Sequence, residues 1–203
     1  MIDDVLRIPK EKIMEPLAKA LPGVSPTAIT VTACLVGVAS GAAAIGQQYG
    51  LALGLWGANR LLDGLDGTMA RANGKQSDLG GYLDLVLDMV VYAAIPLGLA
   101  LGSNLSGIIL ALAVLFASFY INSATWMVLS SFLEKRCQGA KARGELTTVT
   151  IPRGLVEGLE TFLFYSLFFI FPQWLTGLFS LMAGLVVLTS IQRVVWAFHH
   201  LKS

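Results

Sequence analysis

Charged residues are scarce in this chain of 203 residues: Asp, Glu, Lys and Arg make up 13% of it, against about 25% of a typical soluble domain. The mean hydropathy is +0.70. Only two cysteines occur, Cys34 and Cys137, and they lie far apart in the sequence. We therefore expect neither a disulfide framework nor a cysteine metal site. The net charge is +1, and we expect no nucleic-acid partner. These deficits exclude most soluble folds.

Long apolar windows recur along the chain in place of charge. A helix needs about 20 mostly apolar residues to cross a bilayer, and the sequence contains five apolar windows and one acid-bearing stretch of similar length. They predict transmembrane helices at Thr27–Gln47, Leu51–Ala72, Asp78–Leu101, Leu105–Phe132, Pro152–Phe171 and Leu175–Leu201. The predicted fold class is all-α: a polytopic membrane helix bundle over residues 27–201, within a single domain of residues 1–203.

Basic residues sort the connections between these helices onto two sides of the membrane. Lys and Arg occur before the first predicted span, in the second and fourth connections, and after the last span, but not near Gln47, Ser103 or Gln173. The positive-inside rule then predicts that both termini are cytoplasmic. Residues 1–25 mix charges and prolines and contain no continuous apolar stretch, so we expect no cleavable signal peptide. They alternate apolar and basic residues at helical spacing, which predicts an amphipathic interfacial helix; a solvated tail is the alternative.

Four aspartates interrupt the second and third predicted spans. Asp63 and Asp66 are spaced i, i+3, and Asp84 and Asp88 are spaced i, i+4, so each pair shares one face of its helix. The connection between the two helices is short, which makes them antiparallel neighbours. The sequence therefore predicts that the four carboxylates lie close together near the cytoplasmic side.

Such a cluster needs compensation for its charge. One acid at the centre of a membrane helix costs about 2.5–3.5 kcal/mol on insertion scales, and like charges oppose one another's ionisation. Few basic residues are close: Arg60 and Arg71 flank the cluster. Oxygen ligands without nearby His or Cys favour Mg²⁺ or Mn²⁺, and four carboxylates suffice for two ions. We expect a divalent metal site.

Glycines lie next to the acidic residues. Gly67 is one turn beyond Asp63, and Gly80 is one turn before Asp84. Glycine alone indicates close packing of two membrane helices. Beside carboxylates, the missing side chains favour the second explanation, which is room for a bulky ligand.

The stretch "DGLDGTMARANGKQSDLGGYLDLVLD" also carries a longer pattern. It contains D-x-x-D-G-x-x-A-R, then eight residues, then G-x-x-x-D-x-x-x-D. This pattern resembles the signature of the CDP-alcohol phosphotransferase family, integral membrane enzymes of phospholipid synthesis. Every position of the signature is matched, by Asp63, Asp66, Gly67, Ala70, Arg71, Gly80, Asp84 and Asp88.

The resemblance implies functional roles and partners. Asp63, Asp66, Asp84 and Asp88 would bind two Mg²⁺ or Mn²⁺ ions, and Asp88 would be the catalytic base. The donor, usually CDP-diacylglycerol, would contact Gly67, Ala70, Arg71 and Gly80. Thr30 is similar to a donor-binding position but equally fits ordinary helix capping. The resemblance further implies a homodimer in a bacterial or archaeal inner or plasma membrane, with a cytoplasmic active site.

Candidate residues for binding the acceptor lie in the second half of the chain. Arg153, Arg193 and Lys135 are basic residues on or near the predicted cytoplasmic side, and Arg193 lies within a predicted span. Arginines favour a phosphate-bearing acceptor, as in the phosphatidylinositol-phosphate synthase branch, which uses inositol phosphate. Glycerol phosphate, another polar alcohol and phosphatidylglycerol remain alternatives. In a different class, an ion or proton-coupled transporter also contains intramembrane acids.

Overall fold

The computed structural model describes residues 14–16, 18, 20, 23–144, 150 and 154–201. These residues are mostly helical and contain no β-strand, which confirms the all-α prediction. In chain order the helices are α1 (Pro26–Ile45), α2 (Tyr49–Ala72), α3 (Asp78–Leu101), α4 (Ile108–Lys135), the short α5 (Ala140–Arg143), α6 (Gly158–Ile170) and α7 (Leu175–His200), with a 3₁₀ turn at Pro172–Trp174 before α7.

Four helical segments are long and apolar enough to cross a membrane: Pro26–Ile45, Asp78–Leu101, Ile108–Lys135 and Pro172–His200. The α2 helix is also long, but Arg60, Asp63, Asp66 and Arg71 make it more polar. The α6 helix is apolar but has only 13 residues. The protein is therefore an integral membrane protein with four clear candidate spans, and the count of six stays a prediction.

Two helices begin three or more residues after their predicted starts. The α6 helix was predicted to begin at Pro152, but residues 154–157 are not helical and the helix begins at Gly158. The α4 helix begins at Ile108 because Gly107 before it adopts a left-handed conformation, with φ of 72°, that favours glycine. Apolar windows do not record such turns.

The predicted interfacial helix of residues 1–25 lies mostly outside the described residues. Residues 14–16, 18 and 20 are helical. Ala18 is fully buried in a small apolar cluster with Ile29 of α1 and with Leu65 and Met69 of α2. This part of the N-terminal segment therefore packs on the bundle.

The chain forms two compact units. The first comprises Met1–Asn104 and Tyr165–Gln173, and the second comprises Leu105–Phe164 and Trp174–Ser203. In the first unit α1 packs on both α2 and α3, whereas in the second unit α4 packs on α7. The assignment of residues 1–203 to a single domain stays a prediction.

Glycines let α1 approach α3 closely. A Cβ added at Gly98 would overlap the carbonyl oxygen of Gly41, and one added at Gly41 would lie 2.6 Å from the carbonyl oxygen of Ala94. Small residues permit such approach of membrane helices. Polar contacts join α1 to α2: Asn59 donates to the Ala33 carbonyl at 2.7 Å, and Ser40 donates to the Ala52 carbonyl at 2.7 Å.

The two acidic helices pack more extensively on α1 than on each other. Their connection is a tight one, because Gly74 adopts a left-handed conformation with φ of 62° just after α2. The N-cap of α3 is Ser77, whose Oγ accepts a hydrogen bond from the Gly80 N–H at 3.1 Å. The α1 helix thus serves as a common support, and a narrow cleft remains between α2 and α3.

Candidate metal and donor site

Three of the four signature aspartates line this cleft: Asp63 from α2, and Asp84 and Asp88 from α3. Thr30 and Cys34 of α1 line its remaining side. The structure therefore brings together acidic residues from both helices, at the position that the i, i+3 and i, i+4 spacings indicate. We call this group of residues the acidic cleft.

The fourth aspartate, Asp66, is more deeply buried, with 4% of its surface exposed. Thr30 lies beside its carboxylate and donates its own hydroxyl to the Pro26 carbonyl at 3.1 Å. Among the described residues, the Oδ2 atom of Asp66 has no hydrogen-bond partner. An unsatisfied buried carboxylate oxygen is costly, and a bound cation would remove that cost.

Arg60 supplies a positive charge beside the acidic cleft. One guanidinium nitrogen, Nη2, lies 2.5 Å from Oδ1 of Asp88, and Nη1 lies 3.4 Å from Oδ2 of the same residue. Nη1 also lies 3.6 Å from the Asp63 carboxylate. These side chains are shielded from solvent, since Arg60, Asp63 and Asp88 expose 16%, 24% and 26% of their side-chain surface.

Further contacts hold the Arg60 guanidinium. Its Nε donates to the Asn59 side-chain oxygen at 2.8 Å, and Nη1 donates to the Tyr92 hydroxyl at 3.1 Å. The guanidinium carbon lies 4.7 Å from the centre of the Trp56 ring and 5.3 Å from that of Tyr92, within cation–π range. The Tyr165 hydroxyl in turn donates to the Tyr92 carbonyl at 2.7 Å.

Sequence reasoning noted Arg60 only as a flanking charge and did not single out Tyr92. Spacing would have indicated both, because Arg60 is three residues before Asp63 and Tyr92 is four residues after Asp88. Such pairs share a helix face. An arginine within an otherwise apolar helix is also a signal of function.

The predicted donor-binding residues lie near the ends of α2 and α3. A Cβ added at Gly67 would lie 3.2 Å from an Arg71 guanidinium nitrogen, so the missing side chain leaves room for Arg71 one turn further on. Gly80 contacts the Ser77 hydroxyl through its N–H. Ala70 and Arg71 are partly exposed in the last turn of α2.

The residues present fit a hard divalent cation. The donors are carboxylate oxygens, and the unpartnered Oδ2 of Asp66 is a ready acceptor. Among the described residues, no three carboxylate, thiol or imidazole groups already stand in a metal-binding arrangement.

The predicted acceptor residues belong to the second unit. Arg193 of α7 exposes only 4% of its surface, and its Nη1 donates to the side-chain oxygen of Asn122 in α4 at 2.6 Å. Sequence reasoning did not identify Asn122, although a polar residue in an apolar span is a signal of function. Lys135 is exposed in the last turn of α4. Arg153 lies outside the described residues.

The chain just before α6 is attached to α7. The Val156 N–H donates to the Thr189 hydroxyl at 3.0 Å. The Gly154 N–H donates to the Glu157 carboxylate at 2.9 Å, and a Cβ at Gly154 would lie 3.2 Å from an Arg193 guanidinium nitrogen. The backbone at Gly154 therefore passes close to Arg193.

Comparison with known proteins identifies the family of this chain. The sequence profile of the CDP-alcohol phosphatidyltransferase family matches residues 23–196. The chain is 32% identical to the inner membrane protein YnjF of Escherichia coli K12 over 182 residues, which cover 90% of this chain and 87% of that protein. It is 36% identical to archaetidylinositol phosphate synthase of Pyrococcus horikoshii over 94 residues, which cover 46% and 49% of the two chains.

The fold is also shared with a solved structure. Mycobacterium tuberculosis phosphatidylinositol phosphate synthase, PgsA1, was solved with manganese and citrate and superposes with a TM-score of 0.72 at 20% identity, covering 91% of this chain and 88% of that one. With CDP-DAG bound, the same enzyme gives a TM-score of 0.71 at 20% identity, covering 91% and 92%. This likeness shows a common fold.

The chain therefore belongs to the CDP-alcohol phosphatidyltransferase family, and it is an enzyme of that class.

The unpartnered oxygen of Asp66 leads to a prediction about stability. Asp66→Asn removes a buried charge, so the metal-free protein should become more stable by about 1–3 kcal/mol, a rise in Tm of roughly 2–10 °C for a chain of this size. Mn²⁺ should stabilise the wild type by mass action but the variant much less. Thermal unfolding in detergent, with and without Mn²⁺, measures both effects.

Asp78→Asn is the matched control, because Asp78 is exposed in the first turn of α3 and outside the signature. It should lose at most a few tenths of a kcal/mol from the helix dipole and keep the full Mn²⁺ response. An Asp66→Asn variant that unfolds at a lower temperature without metal, or that keeps the wild-type Mn²⁺ response, would contradict a cation site at Asp66.

Proposed function

We propose that this protein transfers a phosphatidyl group from CDP-diacylglycerol to a small polar alcohol, with release of CMP. The observation that carries the proposal is the complete eight-position signature, of which three aspartates line one cleft between α2 and α3. PgsA1, which has the same fold, has been solved with CDP-DAG bound. Family membership favours this transferase over the transporter alternative.

Divalent metal would be bound by carboxylates of Asp63, Asp66, Asp84 and Asp88. Two ions of Mg²⁺ or Mn²⁺ match this number of ligands, and PgsA1 has been solved with manganese. When bound, the ions neutralise the charge of the donor pyrophosphate. Phosphoryl transfer depends mainly on such neutralisation and on positioning.

The protein side chains would then orient the reactants and take up a proton. The acceptor hydroxyl oxygen forms a bond to the β-phosphorus of the donor, and the bond from that phosphorus to the bridging oxygen breaks, so CMP leaves with the electron pair. The hydroxyl proton passes to the Asp88 carboxylate. Thr30, Gly67, Ala70, Arg71 and Gly80 would contact the donor.

The acceptor proposed first is a phosphorylated alcohol such as inositol phosphate. The P. horikoshii relative and PgsA1 are both inositol phosphate lipid synthases by name. Arg193 would bind the acceptor phosphate, together with Arg153 and Lys135. Glycerol phosphate, another polar alcohol and phosphatidylglycerol are the competing acceptors.

We further propose six spans with both termini and the active site on the cytoplasmic side of an inner or plasma membrane. The distribution of Lys and Arg supports this orientation, and a related chain is an inner membrane protein of E. coli. The homodimer implied by the family resemblance stays a prediction, which light scattering in detergent would test.

Turnover provides the direct test of the reaction. Purified protein with CDP-diacylglycerol, Mn²⁺ and inositol phosphate should release CMP, and a chelator should stop the release reversibly. Asp63→Asn and Asp84→Asn should abolish it. Asp88→Asn should lower kcat by about 10²–10⁴-fold, the usual contribution of a general base, while much of the donor binding survives. CMP release that persists in excess chelator would remove the metal-dependent mechanism, and the same assay with other alcohols identifies the acceptor.

Loss of an arginine separates acceptor binding from donor binding. A charge-assisted hydrogen bond is worth about 1.5–3 kcal/mol, so Arg153→Ala or Arg193→Ala should raise the acceptor KM by roughly 10–150-fold. The KM for CDP-diacylglycerol should stay within about twofold. Arg136→Ala is the control, because Arg136 is exposed and contacts backbone carbonyls at the end of α7. Equal weakening of the donor would place these arginines outside the acceptor site.

Membrane orientation is tested by chemical labelling. In a protein without Cys34 and Cys137, single cysteines introduced at Gln138 and Ser103 should react with a membrane-impermeant maleimide from opposite faces. Intact and inverted membrane vesicles distinguish the faces. Reaction of both positions from the same face would contradict the six-span arrangement.

A further inference from the structure

Two carboxylates of the acidic cleft, those of Asp63 and Asp88, lie close to a protein cation, the Arg60 guanidinium. We propose that Arg60 is a positioning residue: it orients the Asp88 carboxylate for proton transfer and limits the part of Asp88 in metal binding. This inference rests on the proposed function and deepens it, because it assigns a role to a residue outside the four-aspartate signature.

The contact between Arg60 and Asp88 involves both carboxylate oxygens. Nη2 lies 2.5 Å from Oδ1, and Nη1 lies 3.4 Å from Oδ2. A planar guanidinium that meets two oxygens sets the orientation of the carboxylate as well as its position. Since a lysine ammonium is a single point charge, it would leave the carboxylate plane free to rotate.

The guanidinium is itself held on its other sides. Nε donates to the Asn59 side-chain oxygen at 2.8 Å, and the Tyr92 hydroxyl accepts from Nη1 at 3.1 Å. The ring of the fully buried Trp56 lies 4.7 Å from the guanidinium carbon. Asn59 is tied to α1 through the Ala33 carbonyl. Arg60 cannot leave Asp88 without giving up these contacts, so the orientation of Asp88 is set before the substrate arrives.

The charge of Arg60 also acts on the neighbouring carboxylates. Its Nη1 lies 3.6 Å from the Asp63 carboxylate, so a divalent cation in the acidic cleft is close to a fixed positive charge. This proximity weakens metal binding. Removing the charge should therefore tighten metal binding and at the same time impair turnover. A residue that only stabilised the fold would affect the two quantities in the same direction.

Two variants separate orientation from charge. Arg60→Met removes both, so kcat should fall by about 10–100-fold, the usual cost of losing a partner that orients a ligand or base, while the apparent Kd for Mn²⁺ falls by about 3–10-fold. Arg60→Lys keeps the charge but not the two-oxygen contact, so kcat should fall while the Mn²⁺ Kd stays within about twofold of wild type. The KM for CDP-diacylglycerol should change by less than about threefold in both variants.

Electron paramagnetic resonance of free Mn²⁺ gives the Kd, and CMP release gives kcat and KM. Arg136→Met is the matched control, and it should leave all three values unchanged. A kcat within threefold of wild type in both variants, or weaker Mn²⁺ binding in Arg60→Met, would overturn the proposal. If Arg60→Met does not fold, Arg60→Lys carries the kinetic test alone. A wild type that releases no CMP would refute the proposed function instead, and Mn²⁺ binding would still test the charge effect.

Discussion

The constraint on which this structure depends is the placement of carboxylates in an apolar helix bundle. Each ionised carboxylate must find a positive partner or remain at a cost of several kcal/mol. At Arg60 the chain meets this constraint with a residue of its own, which pairs with Asp88 and also lies 3.6 Å from Asp63. It leaves Asp66 buried with an oxygen that has no partner among the described residues. The same cluster thus contains one carboxylate that is paired with an arginine, Asp88, and another that is suited to an external cation, Asp66. The two carboxylates can therefore have different roles in catalysis.

Helix α1 makes the cleft feasible. Its glycine contacts with α3 at Gly41 and Gly98, and its hydrogen bonds with α2 at Ala33 and Ala52, attach both acidic helices to one support. The two acidic helices then need little direct contact with each other, and long side chains bridge them where they face one another. Because Asn59 both bonds to α1 and accepts from Arg60, the support extends to the Asp88 carboxylate. Such connected contacts favour a preorganised site.

The sequence predicted the general architecture because its signals are local. Hydropathy windows identified the helices, and the i, i+3 and i, i+4 spacings placed acids on the faces that meet at the cleft. The prediction was less successful where one residue decides the geometry, as at Gly107, which moves the start of α4 to Ile108. The prediction also did not identify the partners of Arg60, because its contacts with Asp88 and Tyr92 join residues 28 and 32 positions apart. Spacing along one helix does not report which side chain of a neighbouring helix faces it.

Arg60 and Arg193 illustrate how neighbouring side chains fix the direction of a guanidinium group. Arg60 meets both oxygens of the Asp88 carboxylate, and its Nη1 also lies 3.6 Å from the Asp63 carboxylate, so its charge acts beyond the residue that it holds. Arg193 donates to the Asn122 side-chain oxygen at 2.6 Å, and Glu157 acts on it electrostatically while accepting from the Gly154 N–H. A guanidinium whose direction is fixed in advance loses little freedom when it binds or orients a reactant. This fixed direction supports the proposed roles of both residues, Arg60 in orienting a base and Arg193 in binding an acceptor phosphate.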